Sequence, residues 1–232
     1  MCKKYNIAIR SFEARSRSLL NRNADGIYKF AHKSILEYFL AKKAFQDLEF
    51  RKNITLSNFN GYDMAKTFLQ EMSIVYLKKV LYKNSKTLKG ASFQYLQLPS
   101  AVFRNVQLID CNFEGCNLSQ AEFLQTRFTT INFDKANLEK AVFHEVIATG
   151  GSFREANLYK ADLRNIESHG SDFREANLRR TCLNNAKLVK ANLEYTDLGD
   201  ADLDGANLSG ANLKGTELLG SNIMKAITKG KL

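Results

Sequence analysis

From Lys86 to Lys225 an apolar residue returns at every fifth position, through twenty-eight consecutive pentads and without a slip of register. The unit reads small, polar, Leu or Phe, any, any, as in Ala136-Asn137-Leu138-Glu139-Lys140 and Ala206-Asn207-Leu208-Ser209-Gly210. A helix repeats near 3.6 residues and a strand at 2.0, so a period of five belongs to neither. It suits a solenoid, in which each repeat buries its apolar face only by stacking on its neighbours.

The central residue is Leu, Phe or Ile in twenty-six of the twenty-eight pentads, with Ala148 and Ser168 the exceptions. A longer period groups the pentads. Phe153-Arg-Glu-Ala-Asn-Leu158 returns twenty residues later as Phe173-Arg-Glu-Ala-Asn-Leu178, which predicts a coil of four sides and about seven turns. Sorted into four columns, the central residues give one column of Leu alone (Leu98 to Leu218) and one that is Phe-rich (Phe93, Phe113, Phe133, Phe153, Phe173). Ala148 and Ser168 share a column, and their pentads carry the larger Val146 and Ile166 where Ala is usual. Interior volume is thereby expected to be conserved within each layer.

These residues resemble the pentapeptide-repeat proteins, whose motif is A(D/N)LXX. The resemblance implies a mainly β fold, a right-handed quadrilateral β-helix. Coils spaced as hydrogen-bonded strands, about 4.8 Å apart, would make a rod on the order of 30 Å long.

Charge separates the rest of the chain from this array. Residues 1–85 hold 16 Lys and Arg against 7 Asp and Glu, whereas 86–232 hold 18 against 17. The expected organisation is a basic α-helical N-terminal capping domain over 1–85, the β-helix over 86–225 and a C-terminal tail over 226–232. Two helices are expected in the first part. One spans about 34–48, opened by a Ser34-x-x-Glu37 capping box and packing through Ile35, Phe39, Leu40 and Ala44. The other spans about 62–83, with Met64, Phe68, Met72, Val75, Leu77 and Leu81 packing, and covers the first coil. Arg10, Arg15 and Arg17 read as the polar face of a surface helix rather than a transit peptide.

Tyr28-Lys-Phe30-Ala-His32-Lys-Ser34-Ile-Leu-Glu37-Tyr38-Phe39-Leu-Ala41 is similar to the segment that precedes the sensor repeats in NACHT-type STAND NTPases. That resemblance implies a sensor-side part of such a protein, with His32 and Glu37 structural. The chain itself carries no G-x-x-x-x-G-K-[ST] phosphate loop.

Nothing in the sequence calls for a cofactor, a metal or a membrane span. No apolar run reaches about 18 residues. Cys2, Cys111, Cys116 and Cys182 lack zinc-like spacing, and Cys111 and Cys116 occupy the small inward position as reduced packing residues, which points to the cytoplasm. His144, Glu145, Glu167 and His169 lie near the Gly150-Gly151 and Gly170 corners, where a bulge or local loop is expected rather than a site.

The function expected is therefore a non-enzymatic protein-interaction scaffold or sensor module with an unknown protein partner. Candidate interaction residues are Arg154, Arg174, Arg179 and Arg180 on the rod and Lys42, Lys43, Arg51 and Lys52 in the basic domain; the latter four also carry a nucleic-acid-binding alternative. A further alternative, implied by the family resemblance, is binding to a topoisomerase such as gyrase by DNA mimicry, which calls for a strongly acidic face. Leu219 and Met224 fall at positions that face solvent, so either the tail folds over the end of the coil or two ends meet in a homodimer.

Overall fold

A computed structural model describes residues 20–22, 28–30, 33–56, 63–83 and 86–228. Cys2, Arg10, Arg15, Arg17 and His32, and the side chains of Ser34, Ile35 and Met64, lie outside what is described. The chain forms two compact units, Met1–Met72 and Ser73–Leu232, which divide inside a long helix.

In the first unit, β1 (Leu20–Arg22) pairs antiparallel with β2 (Tyr28–Phe30), a hairpin that the apolar pattern does not announce. Helix α1 spans Lys33–Gln46, α2 Leu48–Leu56 and α3 Asp63–Lys83, the last running on into the second unit. Short α2 is absent from the sequence reading; Asp47 starts it by accepting the Phe50 N–H at 2.9 Å, an N-cap. Leu40, Ala41 and Ala44 of α1 meet Ala65 and Leu69 of α3 in one buried cluster, flanked by Phe45, Phe50, Phe68 and Met72. The buried stripe of α3 thus runs through Ala65, Leu69, Ser73 and Leu77, four residues apart, and the expected Val75 is instead 66% exposed.

The second unit is a parallel β-solenoid. Strands β3 (Thr87–Lys89), β5 (Gln107–Ile109) and β7 (Arg127–Thr129) form one parallel sheet, and β4 (Val102–Arg104), β6 (Glu122–Leu124) and β8 (Val142–His144) another. Beyond them, single parallel bridges continue the twenty-residue offset from Ser92↔Asn112 to Asn207↔Ile227. Each pentad contributes the same bonds. The Asn137 N–H donates to the Cys116 carbonyl of the coil before, the Leu138 N–H to the Asn157 carbonyl of the coil after, and the Ala136 N–H back across the corner to Phe133. Every fifth residue from Gly90 to Gly220 turns that corner with positive φ, between +52° at Thr130 and +77° at Gly220.

Inside the coil, Phe93, Phe113, Phe133, Phe153 and Phe173 stack face to face at centroid separations of 4.6, 5.0, 5.2 and 4.7 Å. Phe103, Phe123 and Phe143 form a second stack at 4.8 and 4.9 Å, meeting the first edge-on. Within the same unit the Tyr76 ring of α3 lies 5.9 Å from Phe93.

The layer around Ala148 and Ser168 is regular, which corrects the expected bulge. Arg127↔Ile147, Ile147↔Glu167 and Glu167↔Lys187 bridge in unbroken register. Volume is traded between columns instead: Val146 and Ile166 are fully buried beside the small centres, and a Cβ on Gly151 would stand 2.9 Å from the Ile131 side chain. Ser171 Oγ completes the layer by donating to the Ala148 carbonyl at 2.8 Å while Ser168 Oγ donates to it at 2.9 Å.

Candidate interaction surfaces

Among the described residues of the coil no charged side chain is buried. Among the described residues no group of three or more His, Cys, Asp or Glu comes together in a way that could hold a metal, and no helix is long and apolar enough to cross a membrane. His144 pairs with its neighbour Glu145 at 3.5 Å, and Glu167 pairs with Lys187 rather than with His169. Cys111 and Cys116 are buried, donating to the Leu88 and Leu96 carbonyls at 3.4 and 3.2 Å, and burial pushes the Cys111 thiol up; Cys182 is exposed.

One column outside the coil is an amide ladder. Asn177, Asn157, Asn137 and Asn117 each donate from Nδ2 to the residue one coil below, at 3.2, 3.2, 3.5 and 3.0 Å, ending on Gln97. Each Asn Oδ1 also accepts an N–H two residues on in its own coil, as Asn157 does from Tyr159 at 3.2 Å. Asp197 has no side-chain N–H to continue the series, and there Arg179 takes over, 3.7 Å from Asp197 and 3.2 Å from Asp200.

The rod arginines expected to form a docking band are all engaged with carboxylates. Arg174 grips Asp172 at 2.6 Å with Arg154 at 3.9 Å on the same carboxylate, and Arg180 reaches Asp200 at 3.5 Å and the Tyr159 hydroxyl at 3.3 Å. Partial burial pushes the Asp172 carboxyl up, but hydrogen bonds from Arg174 and the charges of Arg174 and Arg154 outweigh it, so the group sits below its ordinary range. Asp162 is lowered by the hydrogen bond from Arg164, which closes on it at 2.6 Å. Lys187 lowers Glu167, and Asn184 with Asn222 lowers Asp202.

In the first unit, Lys42 is exposed, Lys52 half-buried, and Lys43 pairs with Asp47 at 2.6 Å while lying over the Phe50 ring. Arg51 departs from the expected basic face: it is only 8% exposed, and its Nη1 donates to the Phe45 carbonyl at 3.2 Å. At the far end of the coil Leu219 and Met224 stand 86% and 85% exposed. Ile227 neither folds over the end nor leaves it; it extends the coil, donating to Ala206 at 2.7 Å and accepting from Leu208 at 2.8 Å.

A cationic surface went unnoticed in the sequence. Lys86, Lys89, Arg104 and Arg127 gather on the first coils, and among the described residues none of them pairs with a carboxylate, in contrast to the arginines farther along. Twenty residues on, where the coil places the neighbour above, they meet Val106, Ile109, Leu124 and Ile147. A groove of about 350 Å³ opens here, lined by Lys86, Asn105, Val106, Gln107, Gln125 and Arg127. The signal was legible in principle: cations lacking an acid at the twenty-residue offset.

Comparison with known families gives a match over nearly the whole coil. The profile of the pentapeptide repeat region matches residues 121–193, and that of pentapeptide repeats in eight copies matches 87–120 and 191–227. No curated protein matches the sequence closely enough to count as a relative. Among solved structures, QnrB1, a plasmid-mediated fluoroquinolone resistance protein, is similar at 20% identity with a TM-score of 0.42, over 62% of this chain and 92% of that one. HetL, a pentapeptide repeat protein involved in heterocyst differentiation regulation from the cyanobacterium Nostoc sp. strain PCC 7120, is 21% identical over 64% of this chain and 94% of its own, with a TM-score of 0.24. A pentapeptide repeat protein of the Arabidopsis thaliana thylakoid lumen is 20% identical over 50% and 67% respectively, with a TM-score of 0.31.

Proposed function

Because the chain belongs to the pentapeptide-repeat family, we propose that it is a non-enzymatic interaction scaffold or sensor module, whose partner protein is recognised by the rigid face of the coil. The observation that carries this reading is the bridging from Ser92 to Ile227, continuous until the chain turns as a 3-10 helix at Ile223–Lys225, which holds outward side chains at fixed intervals. In this reading the coil is a right-handed, four-sided rod of about seven turns at the spacing of paired strands, and the end of α3 that belongs to the same unit supplies its N-terminal cap. The exposed Leu219 and Met224 supply a contact for a second copy. Similarity of residues 28–41 to the segment before STAND sensor repeats supports a sensor role, and reduced, buried Cys111 and Cys116 support a cytoplasmic setting.

The surface favours this reading over DNA mimicry. A mimic needs free carboxylates in a continuous array, whereas Asp162, Asp172, Asp197 and Asp200 are each held by an arginine. Cross-linking of the full chain to its captured partner tests the scaffold reading. Links should fall on residues twenty apart along one side of the coil; links confined to residues 33–56, or turnover of a nucleotide by the purified chain, would sink it.

A further inference from the structure

The groove on the first coils has the makings of a specific binding surface. Farther along the coil several cations have a carboxylate built in: Lys135 faces Glu155, Lys187 faces Glu167 and Lys214 faces Glu194, each pair twenty residues apart. At Lys86, Lys89, Arg104 and Arg127 that position is aliphatic and, among the described residues, none of the four ion-pairs with a carboxylate; Lys86 and Arg127 line the groove, Lys89 and Arg104 stand on adjoining strands, and Glu167 lies two coils beyond Arg127. An external anion can pair with cations left open in this way.

Between the cations the lining consists of side-chain amides, Asn105, Gln107 and Gln125, the last donating to Glu145 at 2.9 Å, with buried Val106 at its floor. An amide offers one donor and one acceptor group, the pattern presented by the backbone of an extended peptide. No aromatic ring lines the groove, so it lacks the stacking platform on which single-stranded nucleic acid relies. Ile109, Leu124 and Ile147, half-buried above the cations, leave apolar surface for short side chains between acidic ones.

We propose that this groove binds an extended acidic segment of a partner protein, carboxylates on Lys86 and Arg127 within it and on Lys89 and Arg104 beside it, and backbone along the amides. The proposal rests on the scaffold reading and names the side of the coil and the chemistry of its partner.

Fluorescence anisotropy with the full chain tests it, using a labelled (Glu-Ala)6 peptide, a (Lys-Ala)6 peptide, a twelve-nucleotide single strand and a twelve-base-pair duplex as probes. The acidic peptide should bind, with affinity falling as salt rises. R104E/R127E should weaken it at least ten-fold, whereas K160E/K190E, an equal charge change at cations outside the groove, should alter it less than two-fold. Circular dichroism verifies that both variants fold. Equal loss in the two variants, no binding of the acidic peptide, or tighter binding of either nucleic acid that disappears in R104E/R127E would each overturn the proposal. Loss in K160E/K190E alone would overturn the groove while leaving the coil a recognition surface, so the two readings fail separately.

Discussion

At the small inward position a hydroxyl is best satisfied by a backbone carbonyl. Thr181, Thr196 and Thr216 donate to Leu178, Phe173 and Leu193 at 2.7, 2.8 and 2.8 Å, but Thr126 Oγ1 is buried with no partner. Replacing it by an isosteric methyl should raise the denaturation midpoint of T126V, by about 1 kcal/mol of stability, while T126S gains nothing. Corners pose a second residue-scale constraint. Nineteen of the twenty-seven corner residues are not glycine, and Thr130, β-branched at φ +52°, is the worst suited of them. T130N should stabilise by about 1 kcal/mol, because an L-residue in this conformation costs about 1–2 kcal/mol and Asn tolerates it best; a T130N midpoint at or below the parent's would refute the assignment. Gly115 shows why some corners are glycine: a Cβ there would sit 2.3 Å from the Tyr95 ring. The period marks where corners fall, but nothing in residues such as Lys135 or Glu155 announces a left-handed backbone.

Within one layer the coil behaves as a packed unit, and the Ala148 layer is where that can be measured. A148L should cost about 1–3 kcal/mol by overpacking against Val146, whose side chain fills the space a larger centre would need. V146A alone leaves a cavity, and the double variant should recover part of both losses, giving a non-zero coupling in a double-mutant cycle. Additive losses would mean that the two columns do not share volume. The compensation was visible in the sequence because both residues belong to a strict register. Helix α2 was not, since nine residues beginning at Leu48 carry too short a pattern and the Asp47 cap precedes no clear stripe. The exposure of Val75 has the same origin: two buried stripes are compatible with the apolar residues of α3, and packing against α1 selects the one through Ala65 and Leu69.

Over the whole coil, each turn touches only the turns on either side, so stability is expected to fall toward an open end. Leu138, Leu158 and Leu178 are fully enclosed, whereas Leu213, Leu218 and Ile223 are only half-buried. Amide hydrogen exchange should therefore be slowest between residues 113 and 193 and at least ten-fold faster from 210 to 223; uniform protection would show a coil that opens as one body. This gradient concerns the second unit alone.

What the sequence by itself determined is the coil: its period, its four columns, its inward positions and its trade of volume at Ala148 and Ser168. Those follow from one chemical demand repeated locally, an apolar side chain at a fixed interval, so they can be read without coordinates. The tertiary structure alone decided which charges are neutralised and which are left open. Arg179 reaches carboxylates 18 and 21 residues away, and Arg51 turns inward to a backbone carbonyl; Arg104 and Arg127 form no ion pair among the described residues. Charge pairing depends on distances between columns and on rotamers that bend across them, and composition averages these away.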